Sequence, residues 1–90
     1  MAIPTYEDLM LPVLRILQDK KEHSFSELVK SLAKEFELTD EEREKRIPSG
    51  QQTYLQNRTG WARTHLKKSG FVEYVNRGVY KITPKGLESV

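Results

Sequence analysis

Apolar residues recur at intervals of three and four positions in three stretches of the chain, a pattern that predicts three main helices. Thr5 can cap the first helix, which we expect to run to about Asp19, with Glu7 and Asp8 in its first turn. Pro12 lies inside the pattern and should weaken the first turns, so we expect the helix to begin later than the apolar spacing suggests.

The second helix is predicted from Ser26 to Phe36, where apolar residues again follow helical spacing. A short extended segment is expected before it, at residues 23–25. Ser24 and Glu27 have the spacing of a capping box, which favours a helix start at this point.

A charged insertion separates the second helix from the third. Thr39 and Glu42 repeat the capping-box spacing, so residues 40–46 are expected to form a short helix or turn. Ile47-Pro48-Ser49-Gly50 then breaks the chain.

The third main helix is predicted from Gln52 to Ser69, with Gly70 in the left-handed conformation that ends many helices. Its inner stripe is expected to consist of Tyr54, Arg58, Trp61, Ala62, His65, Leu66 and Ser69. Trp61 is therefore expected to be a core residue, in preference to the alternative of a role at the DNA surface. Gly60 costs about 1 kcal/mol relative to Ala inside a helix, which suggests that it permits close approach by another group.

Two strands are predicted at residues 71–75 and 79–82, joined by a tight turn at Asn76-Arg77-Gly78 and followed by a helical turn that starts at Thr83-Pro84. Three helices followed by a β-hairpin are the element order of a winged helix. The expected fold class is therefore mainly α with a small β-hairpin, a winged helix-turn-helix, as one domain over residues 1–90. In this fold the third helix enters the major groove of DNA and the hairpin, the wing, flanks it.

The overall charge of +2 conceals an uneven distribution. Residues 1–50 carry 8 Lys/Arg and 11 Asp/Glu, a balance of −3, whereas residues 51–90 carry 7 and 2, a balance of +5. No Asp or Glu occurs from Gln51 to Val72. A basic half is typical of nucleic-acid binding, although charge alone does not distinguish it from a chance asymmetry on solvated faces.

If Trp61 and Leu66 face the core, the opposite side of the third helix carries the side chains that read bases and hold phosphates. The candidate DNA-binding residues are Ser49, Gln51, Gln52, Thr53, Gln56, Asn57, Gly60, Arg63, Thr64, Lys67, Lys68 and Arg77. Gln56, Asn57 and Arg63 are the expected base readers, because Gln and Asn can pair with adenine and Arg with guanine. The lysines, Ser49 and Gln51 are expected on the phosphate backbone, and the wing residue Arg77 on the backbone or in the minor groove.

Two residues of the third helix have open interpretations. Arg58 either pairs with an acidic residue of the first half or reaches a phosphate. His65 is expected to be a packed helix residue, because no nucleophile or orienting carboxylate accompanies it in the pattern. Without such a set or a glycine-rich phosphate loop, we expect no enzymatic activity and no cofactor. The chain has no cysteine and only two histidines, so no metal is expected.

No apolar run approaches the roughly 18 residues that a membrane span needs, and the N-terminus lacks the pattern of a secretory signal. We therefore expect no membrane association and a cytoplasmic location, with the mature chain starting at Met1. The last helical turn stops at Val90 as if cut, which suggests a longer natural protein.

Several segments together resemble the N-terminal domain of Mrr-like restriction endonucleases, over almost the whole chain. The most specific is Asn57-Arg58-Thr59-Gly60-Trp61-Ala62-Arg63, which runs into Leu66-Lys67-Lys68-Ser69-Gly70-Phe71. Supporting segments are Ile3-Pro4-Thr5-Tyr6, Leu38-Thr39-Asp40-Glu41-Glu42, Pro48-Ser49-Gly50, the wing from Arg77 to Thr83, and Gly86.

The resemblance implies a reader of DNA bearing methylated adenine or cytosine, attached to a C-terminal nuclease domain that this chain lacks. Such a chain would bind double-stranded DNA without cleaving it. Gly60 and Thr64 are the residues we expect to accommodate a methyl group, with Trp61 as a further candidate. Two alternatives stay open: a docking module, which includes a possible homodimer, and a winged-helix transcriptional regulator without methyl specificity.

Overall fold

The structure, a computed structural model, describes residues 3–90. Its helices are α1 (Tyr6–Leu17), α2 (Phe25–Glu35), α3 (Asp40–Glu44), α4 (Tyr54–Lys68) and α5 (Pro84–Glu88). Its strands are β1 (His23–Ser24), β2 (Val72–Asn76) and β3 (Val79–Ile82), which form an antiparallel sheet in the order β1-β3-β2. This is the winged helix-turn-helix that the sequence predicts, with the predicted extended segment before α2 present as the edge strand β1.

Local side-chain bonds define the starts of α1, α2, α3 and α4. Each N-cap is Thr or Ser, and its oxygen accepts a hydrogen bond from the backbone N–H three residues later. In all four, the side chain at that later position accepts in return from the N-cap N–H, which completes a capping box. An N-cap of this kind stabilises a helix by about 1 kcal/mol. The predicted capping boxes Ser24/Glu27 and Thr39/Glu42 are confirmed.

Helix α1 corrects one expectation. It begins at Tyr6, directly after the Thr5 cap, and continues through Pro12, so the predicted delay of its start is wrong. The reciprocal bonds between Thr5 and Asp8 secure the first turn, and the buried residues on both sides of Pro12 hold the rest of the helix against the core. The helix ends at Leu17, slightly before the predicted Asp19.

The sheet attaches the wing to the helices. His23 of β1 pairs with Tyr80 of β3, and the amide of Phe25 donates to the carbonyl of Gly78. The β2–β3 pairing shifts register between Tyr74 and Asn76, and Gly78 in the connecting turn has a φ of +74°. Because that turn requires a left-handed residue, the predicted role of this glycine is confirmed.

The core forms where α1, α2 and α4 meet the inner face of the sheet. Its buried hydrophobic members are Leu9, Val13, Leu14, Leu17, Leu28, Leu32, Ala33, Leu38, Leu55, Ala62, Leu66, Val72, Tyr80 and Ile82. Gly86 packs so closely under the end of α4 that a Cβ there would overlap the carbonyl oxygen of Phe71. The core thus fixes the orientation of α4 and the wing relative to each other.

The placement of Trp61 in the core is wrong. The buried stripe of α4 is Leu55, Thr59, Ala62 and Leu66, whereas Trp61 is 52% exposed. Two stripes with the same helical spacing lie side by side on α4, and the one richer in aromatic residues is the less buried. Packing of α1 and α2 against Leu55 and Leu66 decides between them.

Within residues 3–90, none of the helices combines the length and apolar character required to cross a lipid bilayer.

Candidate nucleic-acid interface

Helix α4 presents one stripe of residues away from the core. Asn57, Trp61, Thr64 and Lys68 recur at helical spacing and form this outer stripe. Trp61 and Lys68 are exposed, and Asn57 and Thr64 are half-buried. An open cleft, which we call the α4 cleft, lies along it and is lined by Gln52, Asn57, Gly60, Trp61, Arg63 and Thr64. All six are residues that the sequence pattern singles out, five as DNA contacts and Trp61 mainly as a core residue.

Arg63 is held on the wing side of the cleft. Its Nε donates to the carbonyl of Gly60 at 3.4 Å, and its Nη1 donates to the hydroxyl of Tyr80. The guanidinium carbon lies 4.9 Å from the ring centroid of Phe25, 5.4 Å from that of Tyr80 and 6.0 Å from that of Tyr74. Within residues 3–90 the Nη2 group forms no hydrogen bond. Arg63 is therefore a positioned cation with a donor left over at the cleft.

The wing reaches the end of α4 through Tyr74. The Nζ of Lys67 lies 4.5 Å from the centre of the Tyr74 ring, and Tyr74 packs edge-on against Tyr80, its cross-strand partner. Lys67 and Lys68 are both exposed in the last turn of α4. The negative end of the helix dipole stabilises cations at this position. Tyr74 is a residue that sequence reasoning missed, because nothing in the strand pattern shows which helix it touches.

The first turn of α4 has its own internal bonds. The Thr53 hydroxyl accepts from the amide of Gln56, and the Gln56 side-chain oxygen accepts from the amide of Thr53. Both residues were expected on DNA, and the structure places their oxygens in the helix cap. The side-chain amide of Gln56 keeps its N–H donors, whereas Asn57 has no hydrogen bond from its side chain to any of the described residues.

The loop before α4 places Ser49 and Gln51 at the N-terminus of that helix, both exposed. The Ser49 hydroxyl accepts from the amide of Gln51 at 3.4 Å. Arg46 of the same loop donates to the carbonyl of Gly50 at 3.1 Å and is exposed. Arg46 is therefore a further cation beside the candidate surface, which the sequence pattern assigned only to the charged insertion.

Gly60 is not required by internal packing. A Cβ at this position would meet only the Nη2 of Arg63, at 3.8 Å, which is an ordinary contact. The carbonyl of Gly60 accepts from the hydroxyl of Thr64 at 2.8 Å, so the Thr64 donor is already used within the helix. A glycine that the fold does not need, in a helix interior where it is unfavourable, suggests approach by another molecule.

The other side of α4 faces the N-terminal segment. Arg58 donates to the carbonyl oxygens of Ile3 and Pro4, at 2.8 and 3.3 Å, and lies over the ring of Tyr54. The expected acidic partner of Arg58 is wrong, because its partners are backbone carbonyls and not a carboxylate. Its contact with a phosphate stays a prediction. His65 is packed as expected, stacked on Tyr6 with ring centroids 4.7 Å apart.

A charged cluster lies in the acidic half of the domain, at the end of α1 and the start of α2. The ring of His23 lies between the carboxylates of Asp19, at 2.9 Å, and Glu27, at 3.2 Å. The pKa of Asp19 is lowered, first by the hydrogen bond from the Lys21 amide and then by His23. The pKa of Glu27 is lowered, first by the bond from the Ser24 amide and then by His23. These carboxylates are engaged locally and lie outside the α4 cleft.

The wing carries Arg77 in its turn, exposed and beside Gly78. Together, the cleft, the terminal lysines of α4 and this wing residue form a surface of amide, hydroxyl and cationic groups. The fold and this surface define a winged-helix domain whose helix α4 is free of acidic residues and flanked by cations. The chain belongs to the Mrr N-terminal domain family, whose sequence profile matches residues 6–90.

The chain is similar to a curated protein of Escherichia coli (strain K12), the type IV methyl-directed restriction enzyme EcoKMrr. The two are 40% identical over 91 aligned residues, which cover 100% of this chain and 30% of the enzyme. The chain therefore spans less than a third of the length of this relative. The comparison with solved structures gave no match. The family match and the similarity to the E. coli enzyme confirm the resemblance inferred from the sequence motifs.

Proposed function

We propose that this domain binds duplex DNA, with α4 in the major groove and the wing beside the sugar-phosphate backbone. The observation that carries the proposal is the exposed surface of α4, where amide, hydroxyl and cationic side chains occur without a carboxylate. A surface of this kind attracts phosphates, and an α-helix fits the major groove.

The proposed DNA contacts fall into two groups, those suited to phosphates and those suited to base edges. Lys67, Lys68 and Arg77 are exposed cations, suited to phosphates, which position the domain without reading sequence. Asn57 and Arg63 line the cleft with unused donors, suited to base edges. The oxygens of Thr53 and Gln56 serve the helix cap, so their contribution to DNA would come from the remaining Gln56 donors and the backbone.

The finer proposal is that the DNA is methylated and that binding serves a nuclease. It is supported by the family and by the similar E. coli enzyme, which is described as methyl-directed and is more than three times as long as the match. The nuclease domain would lie outside this chain. On this proposal the 90-residue chain binds modified duplexes and leaves cleavage to that other domain.

The test is a binding titration of the 90-residue chain with one duplex in four forms: unmodified, or carrying N6-methyladenine, 5-methylcytosine or 5-hydroxymethylcytosine. We expect binding that weakens with salt, with a log-log slope of roughly −0.9 for each phosphate neutralised. Tighter binding of a methylated form supports the finer proposal. Light scattering of the free domain, run in parallel, reports a homodimer. Self-association without any binding at low salt would favour a docking module and overturn DNA recognition.

A further inference from the structure

Trp61 is the most exposed large apolar side chain among residues 3–90, with 52% of its surface accessible. Exposure of an indole forfeits the favourable burial of a large apolar surface, so folding alone gives no reason for it. Its surroundings are polar: Asn57 lies one turn before it on the outer stripe, and Thr64 lies one turn after it. Trp61 is therefore an apolar surface set into a cleft of hydrogen-bonding groups.

The indole is also supported from behind. Its ring centroid lies 6.3 Å from that of His65, with 34° between the planes, and His65 in turn stacks on Tyr6 of α1 at 4.7 Å and 12°. These three residues form an aromatic series that extends from the core side of α1 to the α4 cleft. An aromatic side chain supported in this way presents its free face with little loss of conformational entropy on binding.

We propose that Trp61 is the specificity-determining residue that contacts the methyl group of a modified base in the major groove. The inference rests on the proposed DNA binding by α4. In a duplex, 5-methylcytosine and N6-methyladenine both place a methyl group at the major-groove edge of a base pair, beside polar atoms. The indole face takes the methyl group, as apolar side chains take the thymine methyl, and Asn57 bonds the polar edge nearby.

Gly60 completes the geometry of this contact. With no Cβ beside Trp61, the backbone of α4 leaves room for the base edge to reach the indole. His65 acts as a positioning residue, since it touches the indole and lies outside the lining of the cleft. Transfer of one methyl group from water to an apolar surface corresponds to a gain in affinity of about fourfold, which sets the discrimination expected for each methyl group contacted.

Trp61 is the sole tryptophan of the chain, so its fluorescence reports on this contact directly. We would titrate the 90-residue chain with three duplexes of one sequence, carrying 5-methylcytosine, N6-methyladenine or neither. The methylated duplex that fits should bind about fourfold more tightly than the unmodified one for each methyl group contacted. It should also change the indole emission more at saturation, because only that duplex places a methyl group on the ring. The arm that shows both effects identifies the base.

Substitution variants then test whether Trp61 produces the discrimination between methylated and unmodified duplexes. Binding is measured by the fluorescence anisotropy of labelled DNA. In Trp61→Ala the affinity ratio between methylated and unmodified duplex should fall to about one, because the apolar surface is gone. Binding of the unmodified duplex should change by no more than about twofold, as for other exposed substitutions. Trp61→Phe should keep part of the ratio, and His65→Ala should lower it without abolishing binding. Leu11→Ala, which shortens an exposed apolar side chain of α1, is the matched control and should leave the ratio unchanged.

The possible outcomes distinguish the role of Trp61 from the proposed DNA binding on which it rests. No binding of any duplex at low salt overturns both. Binding without preference for a methylated duplex retains DNA recognition and overturns methyl reading together with the role of Trp61. A preference that survives Trp61→Ala, or an equal loss on all duplexes, overturns the role of Trp61 alone. Thermal unfolding of each variant checks its fold, and Trp61→Phe decides the matter if the alanine variant is unstable.

Discussion

The guanidinium of Arg63 lies over the ring of Phe25, 4.9 Å from its centre, so the middle of α4 is fastened to the first residue of α2. The same guanidinium bonds the hydroxyl of Tyr80 in β3. One side chain therefore joins α4, α2 and the wing. A cation held between aromatic rings contributes about 0.5–2 kcal/mol for each partly desolvated contact. Arg63 thus contributes to the fold while its Nη2 remains available at the cleft.

Replacement of Arg63 should affect selectivity more than general affinity. We expect Arg63→Ala to reduce discrimination between preferred and altered base pairs by about 1 kcal/mol, the low end of the range for arginine base contacts, because only Nη2 is left for a base edge. Arg63→Lys should also fail, because an ammonium cannot bond Gly60, Tyr80 and a base edge together. Competition binding with a set of single base-pair variants measures the effect. Uniform weakening on every duplex would instead place Arg63 on the phosphates.

Lys68→Ala should weaken binding to all duplexes alike. Because Lys68 is exposed at the end of α4, its expected partner is a phosphate, and its loss should reduce the steepness of the log-log salt dependence by about 0.9. Affinities measured over a range of salt concentrations give this slope. Arg15→Ala, which removes one exposed cation from α1, is the control and should leave the slope as it is. A change in base preference would contradict the phosphate assignment.

Gly60→Ala should increase the stability of the domain and weaken its DNA binding. The added Cβ would meet only the Nη2 of Arg63, at 3.8 Å, so the fold has room for it. Alanine in a helix interior should therefore raise the free energy of unfolding by up to about 1 kcal/mol. The same methyl group would project into the α4 cleft and should weaken binding. Urea denaturation and a DNA titration of one preparation test both effects.

Gly86→Ala is the contrasting variant, because its Cβ would overlap the carbonyl oxygen of Phe71. It should lower the free energy of unfolding. If Gly60→Ala were destabilising as well, or bound DNA as the original chain does, the role assigned to Gly60 would be wrong.

Acid should destabilise the domain partly through Asp19 and Glu27. The pKa of each carboxyl is lowered in the folded state, so each favours folding above its ordinary value, 3.8 for Asp19 and 4.5 for Glu27. That contribution is lost as the pH falls through the lower, folded-state pKa. Urea midpoints recorded from neutral to acid pH should fall less steeply in Asp19→Asn and Glu27→Gln than in the original chain. Parallel curves for all three proteins would show that neither carboxyl is coupled to folding.

The sequence by itself determined the element order and the starts of α2 and α3. A capping box needs only residues three positions apart. The Ser24/Glu27 and Thr39/Glu42 pairs therefore predict the starts of α2 and α3 without tertiary context. The turn glycine Gly78 was equally local, because a left-handed φ is a property of one residue. The absence of acidic residues from Gln51 to Val72 also indicates α4 as the candidate interface without tertiary context.

Tertiary structure decided which side of α4 faces the core and what its side chains touch. Two stripes of equal period compete on this helix, and only the packing of α1 and α2 selects Leu55 and Leu66 over Trp61. The aromatic setting of Arg63 is likewise invisible in the chain, since Phe25 and Tyr80 are remote from it in sequence and meet it only after folding. Periodicity fixes an angle between residues on one helix, whereas burial depends on where the neighbouring elements dock.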